Sequence, residues 1–237
     1  HMIKTQKLSI VIPIYNDEEV LQELYRRLKP VVSTLSNSYE IVLVDDGSKD
    51  KSWEIILSLK KEDNNIVAVK LLRNFGQQSA IAAGLDVSQG DIIVLMDSDL
   101  QDRPEDIPVL ISALKESKSS MAIALWEERE DSFFKVFVSK LFNKVSNSIT
   151  SIKTEQGLGV FRAMDRKVIE EMKNFPETTA TTLSLMYFIG SDYTTVPLKR
   201  DARFAGKSGY NLRKMLSLTF SRIFSFSMFP IRVATYT

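Results

Sequence analysis

The sequence predicts an α/β protein whose mainly parallel sheet carries helices on both faces. Three observations carry this expectation. Over the first 125 residues, short apolar runs alternate with segments of helical spacing. The runs are continuously apolar and rich in β-branched residues, as in strands buried on both faces. Most of them break at their C-terminal ends into polar corners, and parallel sheets bind ligands at that edge.

The elements follow in order. LSIVIPI (8–14) is the first strand, with Pro13 near its end. Residues 18–35 have helix spacing, with Val20, Leu21, Leu24, Leu28 and Val31 recurring at three and four. YEIVLV (39–44) is the second strand and stops at Asp45-Asp46-Gly47-Ser48, before a helix over 50–61 that Asp50 caps. IVAVKLL (66–72) is the third strand, and Asn74-Phe75-Gly76 turns into an Ala-rich helix over 77–88. DIIVLMD (91–97) is the fourth. Pro104 suits the first position of a helix, with Glu105 and Asp106 in its first turn. MAIAL (121–125) is the fifth strand. Further on, a helix is expected over 132–150, a short strand at GVFRAM (159–164), helices over 166–173 and 179–190, and a strand near 192–198. A loop with Arg200, Arg203 and Lys207 then leads to a helix resuming near 212. This divides the chain into a domain over 1–201 and an appendage of C-terminal amphipathic helices over 202–237.

Composition removes whole classes of chemistry. The 237 residues contain no Cys, so disulfides, thiolate metal sites and Cys nucleophiles are excluded. The one histidine is His1, and His1-Met2 reads as a cloning remnant ahead of a native start. Carboxylates, Lys, Tyr and hard-metal chemistry remain. A net charge of +1 gives no footprint for nucleic acid. No apolar run reaches the ~18 residues of a membrane span, and no signal peptide is expected. The charge is unevenly spread: from Ala202 to Thr237 there are six basic residues, no acidic ones and seven aromatics. Such a tail fits an anionic surface, or a helix packed on the domain or on a twin subunit with its basic side in water.

The corners carry the chemistry. Asp97 and Asp99 flank Ser98 at the end of a buried strand. Two carboxylates this close repel, and a cation beside them relieves the repulsion. Oxygen ligands select a hard ion, Mg²⁺ or Mn²⁺, and Gln101 and Asp102 add further oxygens. Asp46, at the end of the second strand, can bond a base or ribose. Other nucleotide and phosphoryl classes fail on pattern. There is no G-x-G-x-x-G after the first strand and no P-loop. A phospho-receiver domain would have about half this length. An aspartyl-phosphate phosphatase would place Asp-x-Asp near the first strand.

The segments LSIVIPIYND, YEIVLVDDGSKD, LLRNFGQQSAIAAGLD, GDIIVLMDSDLQDRPE, FRAMDRKV and RFAGKSGYNLRK together resemble family 2 glycosyltransferases, in the expected order over nearly the whole chain. Within that family they are most similar to bactoprenol-phosphate glucosyltransferases and dolichyl-phosphate mannose synthases. The resemblance implies a GT-A type, Rossmann-like fold. It implies a metal-dependent enzyme that moves one sugar from a UDP- or GDP-sugar to a polyprenyl phosphate, with inversion. It places Pro13, Tyr15, Asp17, Val44, Asp46, Asp97, Ser98, Asp99 and Arg129 around the donor. Asp99 and Gln101 would hold the metal, and Arg203 and Lys207 the acceptor phosphate, so that Asp97, Asp99 and Arg203 carry catalysis. The run FSFSMFPIRVATY looks like the lead into transmembrane helices, so the chain is expected to work at the cytoplasmic face of the inner membrane and to stop short of an anchor. The absence of Q-x-x-R-W argues against a processive synthase. Three positions depart from the pattern: Val160 where many relatives have an acid, Gly209 where a Lys is usual, and Arg129, which matches a usual Arg only loosely. A phosphate monoester is already ionised near pH 7, so the loss at 160 weighs against a saccharide hydroxyl acceptor, which needs a base. That acceptor, and a non-catalytic nucleotide-sugar-binding module, stand as alternatives.

Overall fold

The computed structural model describes residues 6–126, 158–174, 182–188, 192–202 and 204. The helix expected over 132–150 and the C-terminal helices lie outside them. Seven strands are described: β1 (Leu8–Ile14), β2 (Tyr39–Asp45), β3 (Ile66–Lys70), β4 (Ile92–Leu95), β5 (Met121–Trp126), β6 (Leu158–Asp165) and β7 (Tyr193–Leu198). The helices are α1 (Leu21–Leu35), α2 (Ser52–Glu62), α3 (Gln77–Val87), α4 (Ile107–Ser117), α5 (Arg166–Lys173) and α6 (Thr182–Phe188). Pro104 opens a short 3₁₀ turn, Pro104–Asp106, that runs into α4. None of these helices is long and apolar enough to cross a membrane.

The sheet runs in the order β3-β2-β1-β4-β6-β5-β7. β3, β2, β1 and β4 are mutually parallel. β5 does not lie beside β4. β6 lies between them and is antiparallel to both, while β7 is parallel to β5. An apolar run specifies burial but neither direction nor neighbour, so this insertion is a tertiary outcome.

Alternation along each strand sends side chains to two cores. Ile10, Ile12, Leu43 and Val94 pack with Leu24 and Leu28 of α1, Ile56 of α2 and Leu110 of α4. Val11, Val42, Val44 and Leu95 pack on the other face with Ala80, Ile81 and Leu85 of α3, Val168 of α5 and Met186 of α6. Both faces are therefore covered, which is why the strands read as unbroken apolar runs. α3 lies close to the sheet because Gly84 has no side chain. A Cβ there would sit 2.5 Å from Val11 Cγ1 and 2.9 Å from Val44 Cγ2. Both neighbours are stiff and fully buried. Gly84→Ala is expected to lower unfolding free energy by about 1–3 kcal/mol, the range for overpacking, as read from urea denaturation. An unchanged midpoint would show that α3 can move away at no cost.

Candidate active site

The strand order reverses between β1 and β4: the chain first builds outward from β1 to β2 and β3, then returns to place β4 on the other side. The crevice above the carboxyl ends of β1 and β4 is thus the switch point of the sheet, the expected place for a ligand. Two groups of loops meet there.

The first group joins the ends of β1, β2 and β3. Asn16 and Gly47 adopt left-handed backbone, with φ 55° and 68°. Asn16 donates its N–H to Ser48 Oγ (3.0 Å) and accepts the Lys49 N–H on Oδ1 (2.8 Å). Glu18 N–H donates to Asp50, and Lys51 N–H donates to Glu18. Asp50 also accepts the N–H of Ser52 in a local turn before α2; the N-cap itself is Lys51, one residue later than expected, and carries no side-chain cap bond. Asp46 is almost fully buried and accepts the N–H groups of Phe75 (2.8 Å) and Gly76 (2.9 Å). It therefore holds the β3–α3 turn directly, a task that sequence reading did not give it. Tyr15 and Phe75 are exposed, and the Arg73 guanidinium lies over the Phe75 ring at 4.4 Å. Pro13 and Val44 face each other across β1 and β2 and are both buried. Val44 packs against α3, so its side chain forms the floor beneath the site.

The second group is the acid turn after β4. Its backbone is forced: buried Leu100 has φ 59°, a left-handed conformation costing a side-chain-bearing residue about 1–2 kcal/mol. The Asp97 N–H bonds Asp102 Oδ2 (3.0 Å), and the Gln101 N–H bonds Asp99 Oδ1 (3.1 Å). Ser98 donates its hydroxyl to Asp17 Oδ2 at 2.6 Å. Gln101 Nε2 and carbonyl meet the backbone of Asp201. Gln77, in the first turn of α3, donates to Asp97 Oδ1 at 2.6 Å. Arg200 places one guanidinium nitrogen 3.8 Å from both Asp97 and Asp102, and stacks over Trp126, which lies parallel to Phe161. Sequence reading missed Gln77 and Arg200. An amide in a helix N-terminus and a cation beyond β7 carry no local signal of the acids they meet.

Electrostatics here favour protons or cations. Burial pushes the Asp97 carboxyl up to about 8, helped by repulsion from Asp102 and Asp99 and opposed by Arg200 and Gln77. Burial likewise pushes Asp102 up to about 6, against the lowering effect of the Asp97 N–H and Arg200. Asp102 Oδ1 is buried without a hydrogen-bond partner. Oxygen donors with unrelieved repulsion and an orphaned oxygen fit a hard divalent ion. Among the described residues no three acids or imidazoles converge on one point. A testable linkage follows. Raised carboxyl values mean the folded chain holds protons that the unfolded chain has lost. Without metal, stability should fall as pH rises from about 4, the ordinary aspartate value, toward 8. Binding of Mn²⁺ with nucleoside diphosphate should tighten between pH 6 and 8 and release protons. Calorimetry in buffers of different ionisation enthalpy measures this, and no proton release at pH 6.5 would contradict it.

Arg129, Arg203 and Lys207 lie outside the described residues. Val160 is half-buried against the α3-side core, and its carbonyl accepts a bond from buried Arg162.

A doubly covered, mainly parallel sheet with an acid turn at its switch point makes this an α/β protein of GT-A type. Residues 9–173 match the model of glycosyl transferase family 2. The chain is 40% identical to an uncharacterized glycosyltransferase, YkcC, of Bacillus subtilis, over 96% of this chain and 71% of that one. It is 36% identical to the bactoprenol glucosyl transferase of Shigella phage SfV, over 97% and 75%. It is 34% identical to the undecaprenyl-phosphate 4-deoxy-4-formamido-L-arabinose transferase of Yersinia enterocolitica, over 97% and 70%. Among solved structures, glucosyl-3-phosphoglycerate synthase from Mycobacterium tuberculosis, in complex with Mn²⁺, UDP-glucose and phosphoglyceric acid, superposes with a TM-score of 0.65 at 17% identity, covering 93% of this chain and 79% of that one. A mannosyltransferase from Pyrobaculum calidifontis, in complex with GDP-Man and Mn²⁺, gives 0.62 at 15%, covering 94% and 70%. The chain belongs to glycosyl transferase family 2.

Proposed function

We propose that this chain moves one sugar from a nucleoside diphosphate sugar to a polyprenyl phosphate at the cytoplasmic membrane surface, with inversion at the anomeric carbon. The observation that carries the reading is the acid turn Asp97–Asp102 at the switch point between β1 and β4. The acceptor class rests on relatives named for bactoprenol and undecaprenyl phosphate that align over 97% of the chain.

The residues take the following roles. Tyr15, and Asp46 through the turn it holds, line the nucleoside, with Pro13 beneath. Asp97, Asp99 and the backbone of Ser98 face the donor diphosphate, and Arg129 adds a cation to it. Asp99 and Gln101 hold Mg²⁺ or Mn²⁺, which supplies charge neutralisation for the leaving diphosphate. Arg203 and Lys207, in the acid-free aromatic tail, hold the acceptor phosphate. An acceptor phosphate oxygen attacks the anomeric carbon from the face opposite the diphosphate. The bond from that carbon to the diphosphate oxygen breaks, and its electron pair leaves on the nucleoside diphosphate. No proton has to be removed, because the phosphate is already ionised. The apolar side chain of Val160 is compatible with that route.

The chain, mixed with undecaprenyl phosphate in detergent and radiolabelled UDP-glucose or GDP-mannose, should yield a lipid-linked sugar from at least one donor. Product on a saccharide instead would favour a hydroxyl acceptor. Nucleotide binding with no transfer from any donor would favour a binding module.

A further inference from the structure

Asp17 and Ser98 meet across the switch point. Ser98 is 7% exposed, stands between Asp97 and Asp99, and directs its hydroxyl at Asp17 Oδ2 at 2.6 Å. Asp17 is bolted to three other segments. Its Oδ2 also accepts the Tyr15 N–H (3.1 Å), its own N–H donates to Ser52 Oγ at the start of α2 (2.9 Å), and its carbonyl accepts the N–H groups of Val20 and Leu21 where α1 begins. The acid turn, by contrast, carries the left-handed Leu100 and crowds Asp97, Asp99 and Asp102 into six residues. A turn under such load keeps its shape only if something outside it holds it. Beside the Gln77 amide on Asp97, the Ser98 hydroxyl is a second side-chain tie from this turn to the nucleoside side, and a carboxylate acceptor makes it one of the stronger kinds of hydrogen bond.

We infer that Asp17 and Ser98 form a positioning pair that fixes the acid turn against the nucleoside loops, so that the base and the diphosphate are bound as one rigid register. This replaces the direct donor contact that resemblance implies for Asp17, and it rests on the nucleotide-site reading above. The pair acts through Asp97 and Asp99, so its loss should affect the diphosphate end and spare the nucleoside end.

The test measures binding of UDP and GDP in Mn²⁺, and of uridine and guanosine in EDTA, to the whole chain by calorimetry. Ser98→Ala should weaken Mn²⁺-dependent binding of the preferred diphosphate about tenfold and leave its nucleoside within twofold. Asp17→Ala should weaken diphosphate binding similarly, and the double variant should be no worse than the poorer single one, because both remove the same tie. Equal loss at both ends in Ser98→Ala would indicate general damage and overturn the inference. So would an unchanged diphosphate affinity, or losses that multiply in the double variant. If the unmodified chain binds neither diphosphate, the nucleotide-site reading fails and the inference with it. If it binds one and Ser98→Ala binds it equally well, the inference alone fails.

Discussion

Asp99→Ala is expected to abolish Mn²⁺-dependent nucleotide binding and to lower sugar transfer by about 10²–10³-fold, the scale for removing one preorganised group that stabilises transition-state charge. The same change should leave the fold as stable or more so. Asp99 repels Asp97 and Asp102, and both of those carboxyls are already pushed up by burial and by neighbouring charge. Removing one carboxylate from such a group relieves repulsion. Opposite signs for function and stability are the mark of a site whose charges are kept for binding. Calorimetry and thermal unfolding of the variant read the two signs separately. Unchanged nucleotide affinity would sink the metal assignment, and a large loss of stability would recast Asp99 as a structural residue.

Gly47→Ala is expected to lower stability by about 2–5 kcal/mol and to weaken nucleotide binding at least tenfold. Gly47 has φ 68°, where a side chain costs about 1–2 kcal/mol. A Cβ there would also lie 2.4 Å from the Arg73 carbonyl carbon and 2.6 Å from the Asn74 nitrogen. These are backbone atoms, which cannot rotate away, so overpacking adds about 1–3 kcal/mol. The 73–76 turn must shift, and with it the N–H groups of Phe75 and Gly76 that Asp46 holds. Urea denaturation with and without nucleotide measures both losses. A variant that is destabilised but binds normally would detach this turn from the nucleoside site.

The parallel half of the fold was legible because buried parallel strands write themselves as unbroken apolar runs. LSIVIPI and DIIVLMD read as buried strands of a parallel sheet, with their C-terminal ends along one edge. The acid pair was legible because two aspartates one residue apart at such an end are costly without a purpose. The position of β6 was not legible: a short run such as GVFRAM is equally apolar read in either direction, and its partners are chosen by contacts distant in sequence. Arg200 was missed for the same reason, lying about a hundred residues from Asp102. Asp46 and Val44 show a subtler limit. Pattern marks the corner of the sheet, but whether a residue there faces ligand, backbone or core depends on the path of the β3–α3 turn and of α3.

The placement of β6 bears on how the chain is made. Strands β1 to β4 are complete by Leu95, and up to that point they have only one another to pair with. The free side of β4 then waits for Leu158–Asp165, which is synthesised more than sixty residues later. Until that segment arrives, β5 has no route to the rest of the sheet except through it, and a fully apolar β4 presents an open edge. Such edges template association between chains. The same strand that joins the nucleotide half to the distal half of the sheet is therefore the step on which productive folding during translation depends. Nascent chains halted before residue 158 should aggregate, whereas those that extend past Asp165 should do so markedly less, as read by sedimentation of released chains.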